Sequence, residues 1–224
     1  MFLDLLAILR GDGDAAHQFG AEFLEMLDLA ETMFREVNVA MWGDMMTDTL
    51  RAKTYERDVR LNKLERKTRK KVLSHLAASG GDNRDLPYCF VLINVVKDAE
   101  RIGDYVKNIV EVDHLGRLPE GDIRDELREV GRAVEGMLGQ AGPVFQESDT
   151  KAAEQLIRRG RELNKRADAL VPRIANASFA SSSTVAMVLL ARFYKRIASH
   201  TTNILSSVIM PLHKIDYFDE DELV

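Results

Sequence analysis

Two short echoes, about a hundred residues apart, constrain this chain more than any other feature. "RLNK" at 60–63 returns as "ELNK" at 162–165, an offset of 102. Arg101-Ile102 and Asn108-Ile109 return as Arg196-Ile197 and Asn203-Ile204, an offset of 95. The order is kept, and the second half is shorter by seven residues between the two matches. A hairpin loop shorter by seven residues in the second half is the expected cause, with "NASFASSS" there facing "SGGDNRDLPY" in the first. A repeat of this length is one supersecondary unit used twice.

The unit is helical. Phe19, Phe23, Met26, Leu27, Ala30, Met33, Phe34, Val37 and Met41 recur at the spacing of one helix face, which predicts a helix over about 14–43. A second helix is expected over about 48–78, stopped by the turn formers of "SGGDN". A third starts at an Asp85 cap, tolerates Pro87 in its first turn and runs to about 115. The fourth is expected over about 122–140, with a break across "AGPVFQESDT". Ser148 or Asp149 caps the fifth, and Pro172 kinks or ends it. The sixth covers about 181–210 and stops before Pro211. No stretch reads as a strand. The expected fold is all-α: two tandem three-helix bundles, six helices, related by the repeat. Residues 1–118 form the first unit, 119–215 the second, and 216–224 a disordered acidic tail.

On the third helix Val91, Val95, Ala99, Ile102, Val106 and Ile109 form an apolar stripe. Turning 100° per residue from Glu100, Asp104 falls at about 40°, Glu111 at about 20° and Asn108 at about 80°. The stripe centres near about 220°, so the acids are expected to point away from the core. Like charges four apart repel by roughly 0.2–0.5 kcal/mol per pair. The second helix has a similar face, with Asn62 at about 40° and Glu65 at about −20° from Asp58. Two oxygen-rich faces on adjacent helices suit a hard cation, which takes several oxygen ligands. An ordinary solvated face, screened by Lys97, Arg101 and Lys107, explains the same spacing. Spacing alone leaves both open.

Composition narrows the rest. The chain has 224 residues, 46% hydrophobic and 30% charged, and a net charge of −5, so no global field favours nucleic acid. The basic run "RKTRKK" (66–71) has no interleaved aromatics, and Glu56 and Glu65 stand four residues before Arg60 and Arg69. It reads as a solvated face, with contact to anionic lipid as a milder use. A single cysteine, Cys89, rules out an intramolecular disulfide framework and fits an intracellular setting. The longest apolar run, Val185–Ala191, is far below the roughly 20 residues of a membrane span. "MFLDLLAILRGDGD" lacks a basic n-region and is read as a short helix packing on the body.

The five histidines show no zinc-like cluster, and Glu111-x-x-His114 is only half of a di-iron motif. His200 beside Ser199 has no acid nearby in sequence to make a triad. No phosphate-cradling glycine loop is visible. Met41, Met45 and Met46 around Trp42 are core filling or a partner surface.

"KDAERIGDYVKNIVE" (97–111) resembles the PhoU family signature, whose usual form is close to "LERIGDHAxNIAE", and "YERDVRLNKLERKTRKKVL" (55–73) resembles the helix before it. The resemblance is clear over about 53–115 and weaker over 155–210. It implies two three-helix bundles and a non-enzymatic regulator of phosphate uptake at the cytoplasmic side of a membrane. The implied partners are a phosphate transporter, ABC-type or a sodium–phosphate cotransporter, and a sensor histidine kinase. A homodimer is a further expectation. Several members bind iron or other metals through Glu/Asp-xxx-Asp motifs. The matching positions are Glu100 and Asp104 on the third helix, and Asp58, Asn62 and Glu65 on the second. The implied cofactor is Fe or another divalent or trivalent metal, with Mn, Mg, Ca and Zn left open. In the second repeat Lys195, Ser199, Gly160 and Ala167 stand at the positions of Glu100, Asp104, Asp58 and Glu65, and only Asn164 survives. One metal site, in the first bundle, is therefore expected. Two further classes remain: a carboxylate-bridged metalloenzyme and a purely structural helical partner.

Overall fold

The computed structural model describes residues 14–78, 80 and 85–216, with side chains from 18 onward. Among these residues there are six long helices and no strand. They are α1 (Asp14–Trp42), α2 (Asp48–Ala78), α3 (Leu86–Val112), α4 (Asp122–Glu147), α5 (Thr150–Ala175) and α6 (Ser181–Ile209). A 3₁₀ turn, Leu212–Lys214, follows. The proposed N-terminal helix and all of the acidic tail except Asp216 lie outside the described residues.

Each repeat closes on itself, α1 with α2 and α3, and α4 with α5 and α6. The repeats then meet through α3 against α6 and α1 against α4. One continuous apolar core results, running from Phe23 and Phe34 through Val95 and Ile109 to Leu190 and Ile204. The outer helices α2 and α5 are the most polar, as expected of helices packed on one side only. Every apolar position read from the α1 and α3 stripes is buried.

Three local expectations needed correction. The fourth helix does not break at "AGPVFQESDT" but continues through Pro143 to Glu147. Ala141, Val144 and Phe145 bury an apolar face there, and Phe145 meets Phe23 edge-on at 4.8 Å. That burial outweighs the poor local propensity. Of the two outcomes expected at Pro172, a kink or an end, the end is overturned, because α5 reaches Ala175. Asp149 caps α5 as expected, accepting from the Ala152 amide at 3.0 Å. Asp85 stands at the α3 N-cap, but its carboxylate meets His75 Nε2 at 3.2 Å and makes no cap hydrogen bond.

The bearing of the acids is the correction that matters for function. Taken alone, α3 shows one apolar stripe. In the fold it is packed by α1, α2 and α6, so little of its circumference meets water. Its acidic face lies against α2. Asp58, Glu65 and Glu100 are only 6%, 9% and 9% exposed. They line an interhelical seam and do not point outward.

Candidate functional site

The seam exists because α2 and α3 pack closely. Gly103 has no side chain where Leu61 Cδ1 sits, and a Cβ there would collide with it. Around that contact the fold gathers Asp58 and Glu65 from α2 with Glu100 and Asp104 from α3. All four carboxylates are near enough for the other three to act on Glu100. Asn62 is not part of the set, because its amide turns back and donates to the Asp58 carbonyl at 3.0 Å. Nor is Glu111, which accepts from the Tyr55 hydroxyl.

Basic side chains of the same two helices answer these acids. Lys107 Nζ donates to Asp58 Oδ2 at 2.8 Å and to Asp104 Oδ1 at 3.1 Å, tying α3 to α2. Arg101 Nη1 donates to the other Asp104 oxygen at 3.0 Å. Arg69 pairs with Glu65 at 3.0 Å. Glu100 is the poorest served, with Arg101 Nε no nearer than 3.7 Å. Burial, then the charge of Asp104, pushes its carboxyl above the usual range, against the opposing pull of Arg101. Burial works against the Lys107 ammonium, but Asp58 and Asp104 outweigh it and hold its pKa above the ordinary value.

As placed, the residues do not fit a metal ion. The space between Asp58 and Asp104 is taken by an ammonium. Among the described residues no three His, Cys, Asp or Glu side chains form a group able to hold a metal. A hard cation needs several oxygen ligands turned toward one point, and Asp58 and Asp104 are turned onto Lys107 instead.

The equivalent seam of the second repeat is built differently. Gly160 of α5 faces Thr202 of α6, and a Cβ on Gly160 would collide with Thr202 Oγ1 and lie 2.9 Å from Met137 Cε. Asn164 Nδ2 donates to Ser199 Oγ at 3.0 Å. Lys195 meets Asp168 at 2.5 Å. The expected loss of an acid face in this repeat is what the fold displays.

A polar cluster that sequence reasoning missed lies where the repeats meet. Asp98 is 1% exposed. Its Oδ1 faces His200 Nδ1 at 2.7 Å and accepts from Asn203 Nδ2 at 3.2 Å, while its Oδ2 is buried without a protein partner. Tyr105 stacks on the His200 ring at 5.6 Å. Burial, then Asp98, pushes the Asp216 carboxyl above its usual range. No periodicity signals this group. The only clue was that the offset of 95 maps His200 onto Tyr105 and Phe193 onto Asp98.

The remaining constellations resolve toward structure. Lys67 and Lys71 of the basic run pair with Glu22 of α1, at 3.0 and 2.5 Å. Met41 and Trp42 are core residues. Trp42 Nε1 donates to Asn38 Oδ1 and to the Tyr194 hydroxyl, both at 3.1 Å, and only Met45 of that group is well exposed.

Comparison with known proteins agrees with this architecture. The family described as PhoU domain matches residues 23–112 and again 127–208, one match per repeat. A relative from Synechocystis sp., the phosphate-specific transport system accessory protein PhoU homolog, is 25% identical over 191 residues, covering 84% of each chain. The crystal structure of PhoU from Pseudomonas aeruginosa superposes with a TM-score of 0.77 at 22% identity, over 87% of this chain and 95% of that one. The phosphate transport system regulatory protein PhoU from Streptococcus pneumoniae gives 0.77 at 15% identity, over 87% and 93%. With both repeats matched and the paired bundles shared, the chain belongs to the PhoU family.

Proposed function

We propose that this protein is a regulatory accessory of phosphate transport, working as an adaptor at the inner face of the membrane. The observation that carries the reading is the family match to each repeat, over segments that together span most of the chain. The accessory role printed for the Synechocystis relative, aligned over 84% of both chains, supports it. No helix among the described residues is long and apolar enough to cross a membrane, and the adaptor in this reading meets a transporter by docking. The continuous core between the repeats suits an adaptor that presents fixed surfaces rather than one that hinges between its halves. The partners in this reading are the cytoplasmic parts of a phosphate transporter and a phosphate-responsive sensor kinase.

Asp58, Asn62, Glu65, Glu100 and Asp104 form the charged seam and its margin. Iron or another metal would bind between Asp58 and Asp104 only if Lys107 moved away, and no step is assigned to a metal. The test is affinity capture from phosphate-starved and phosphate-replete cells, paired with phosphate uptake in a deletion strain. Recovery of a transport or kinase component, with uptake no longer repressed by phosphate in the deletion strain, is the expected result. Unchanged uptake control and no such component in either condition would refute it.

A further inference from the structure

The two repeats build the same helix crossing twice. The offsets of 102 for α2/α5 and 95 for α3/α6 map Asp58 onto Gly160 and Lys107 onto Thr202. Both pairs are face-to-face contacts, a salt bridge at 2.8 Å in one seam and a collision-tight glycine–threonine approach in the other. The acid and the lysine are present together or absent together. That is how two halves of one contact behave, and it differs from an acid whose partner is a diffusible ion.

The charge on each seam points the same way. The second seam carries one acid on this face, Asp168, and covers it with Lys195 and with Arg192 at 3.0 Å. The first carries four carboxylates and covers them with Lys107, Arg101 and Arg69. Each repeat neutralises its acids with cations of its own helices. A tethered ammonium needs no supply from solution and offers donors to both carboxylates at once. An incoming metal would have to expel it while finding further oxygen ligands.

We propose that the Lys107 ammonium is the resident cation of the first seam: it takes the place between Asp58 and Asp104 that a metal would require, and the repeat is held together without one. The proposal rests on the seam's geometry and stands or falls separately from the transport reading.

The test compares the wild type with Lys107→Met, Lys107→Arg, the Asp58→Asn/Lys107→Met double variant and Glu100→Ala/Asp104→Ala. Protein is purified without chelator or affinity tag. Metal content and Tm are read before and after incubation with Fe²⁺, Mn²⁺, Mg²⁺, Ca²⁺ or Zn²⁺. The wild type is expected to hold no stoichiometric metal at the seam and to keep its Tm with every ion. Lys107→Met should lower Tm by about 4–8 °C, since it leaves two part-buried carboxylates facing each other. Lys107→Arg, which keeps the charge, should fall by less than half as much. The double variant should regain part of the loss, because both halves of the contact are gone. The arginine and double variants keep the test informative if Lys107→Met fails to fold. Stoichiometric metal in the wild type that disappears in Glu100→Ala/Asp104→Ala would overturn the proposal. So would a Lys107→Met protein that melts with the wild type.

Discussion

The seam between α2 and α3 and the seam between α5 and α6 are the same crossing solved in opposite ways. The first is charged, with Lys107 reaching across to Asp58 beside the close Gly103–Leu61 approach. The second is small and close, with Gly160 against Thr202 and a neutral Asn164–Ser199 hydrogen bond beside it. The fold needs a close helix contact at this point but does not dictate its chemistry. Charge in the first seam is therefore a property added to the fold, and it is the first seam that carries the motif by which the family resemblance was recognised.

Forcing the first solution on the second seam is expected to cost the most. Gly160→Asp restores the residue found at 58, but the new side chain meets Thr202, whose hydroxyl is held by the Ala198 carbonyl at 2.9 Å. It also buries a carboxylate with no lysine opposite. A loss of about 3–5 kcal/mol is expected, a drop of roughly 10 °C or more in a thermal melt followed by circular dichroism. Asp58→Gly, the reverse exchange, should cost roughly 1–2 kcal/mol, because Lys107 keeps Asp104. Equal losses from the two exchanges would mean that the seams do not differ as described.

The joint between the repeats offers a second contrast of the same kind. Under the offset of 95, Asp98 with His200 on one side of the joint answers Phe193 with Tyr105 on the other. The aromatic pair meets at 6.0 Å, and the polar pair at 2.7 Å. Asp98→Ala strips His200 and Asn203 of a shared buried acceptor, and a loss of about 2–3 kcal/mol is expected. Phe193→Ala removes a part-buried ring and should cost roughly 1–2 kcal/mol. Chemical denaturation of both variants measures the order, and the reverse order would show that the aromatic half carries the joint.

Much of this was legible in the sequence. The repeat and the stripes on α1 and α3 were read from spacing alone, because a 3.6-residue period reports one buried face well. The bearing of the acids was not, because α3 is buried on more than one face and a single helix cannot show how many neighbours it has. The same blindness hid Asp98, whose partners are about a hundred residues away on α6. Pro143 misled the reading of α4 because local propensity was set against an apolar face visible only once Phe145 has met Phe23. The spacing on α3 puts Lys107 near the acids of its own helix, but its reach to Asp58 depends on the α2/α3 packing.

A smaller effect is expected at Glu100, whose counterpart is Lys195. Lys195 has Asp168 within 2.5 Å, whereas Glu100 has only Arg101 at 3.7 Å. Because burial and Asp104 raise the Glu100 pKa in the folded state, its contribution to stability is fully present below the unfolded-state pKa and is lost as pH rises through the folded one. Glu100→Gln keeps the shape of the protonated acid at every pH. The variant should therefore melt above the wild type at neutral pH, and the gap should close as pH falls through the carboxylate range. Paired thermal melts from neutral pH into that range read the effect. A gap that stays constant with pH would mean that the substitution acts through packing and that Glu100 carries no charge strain in the seam.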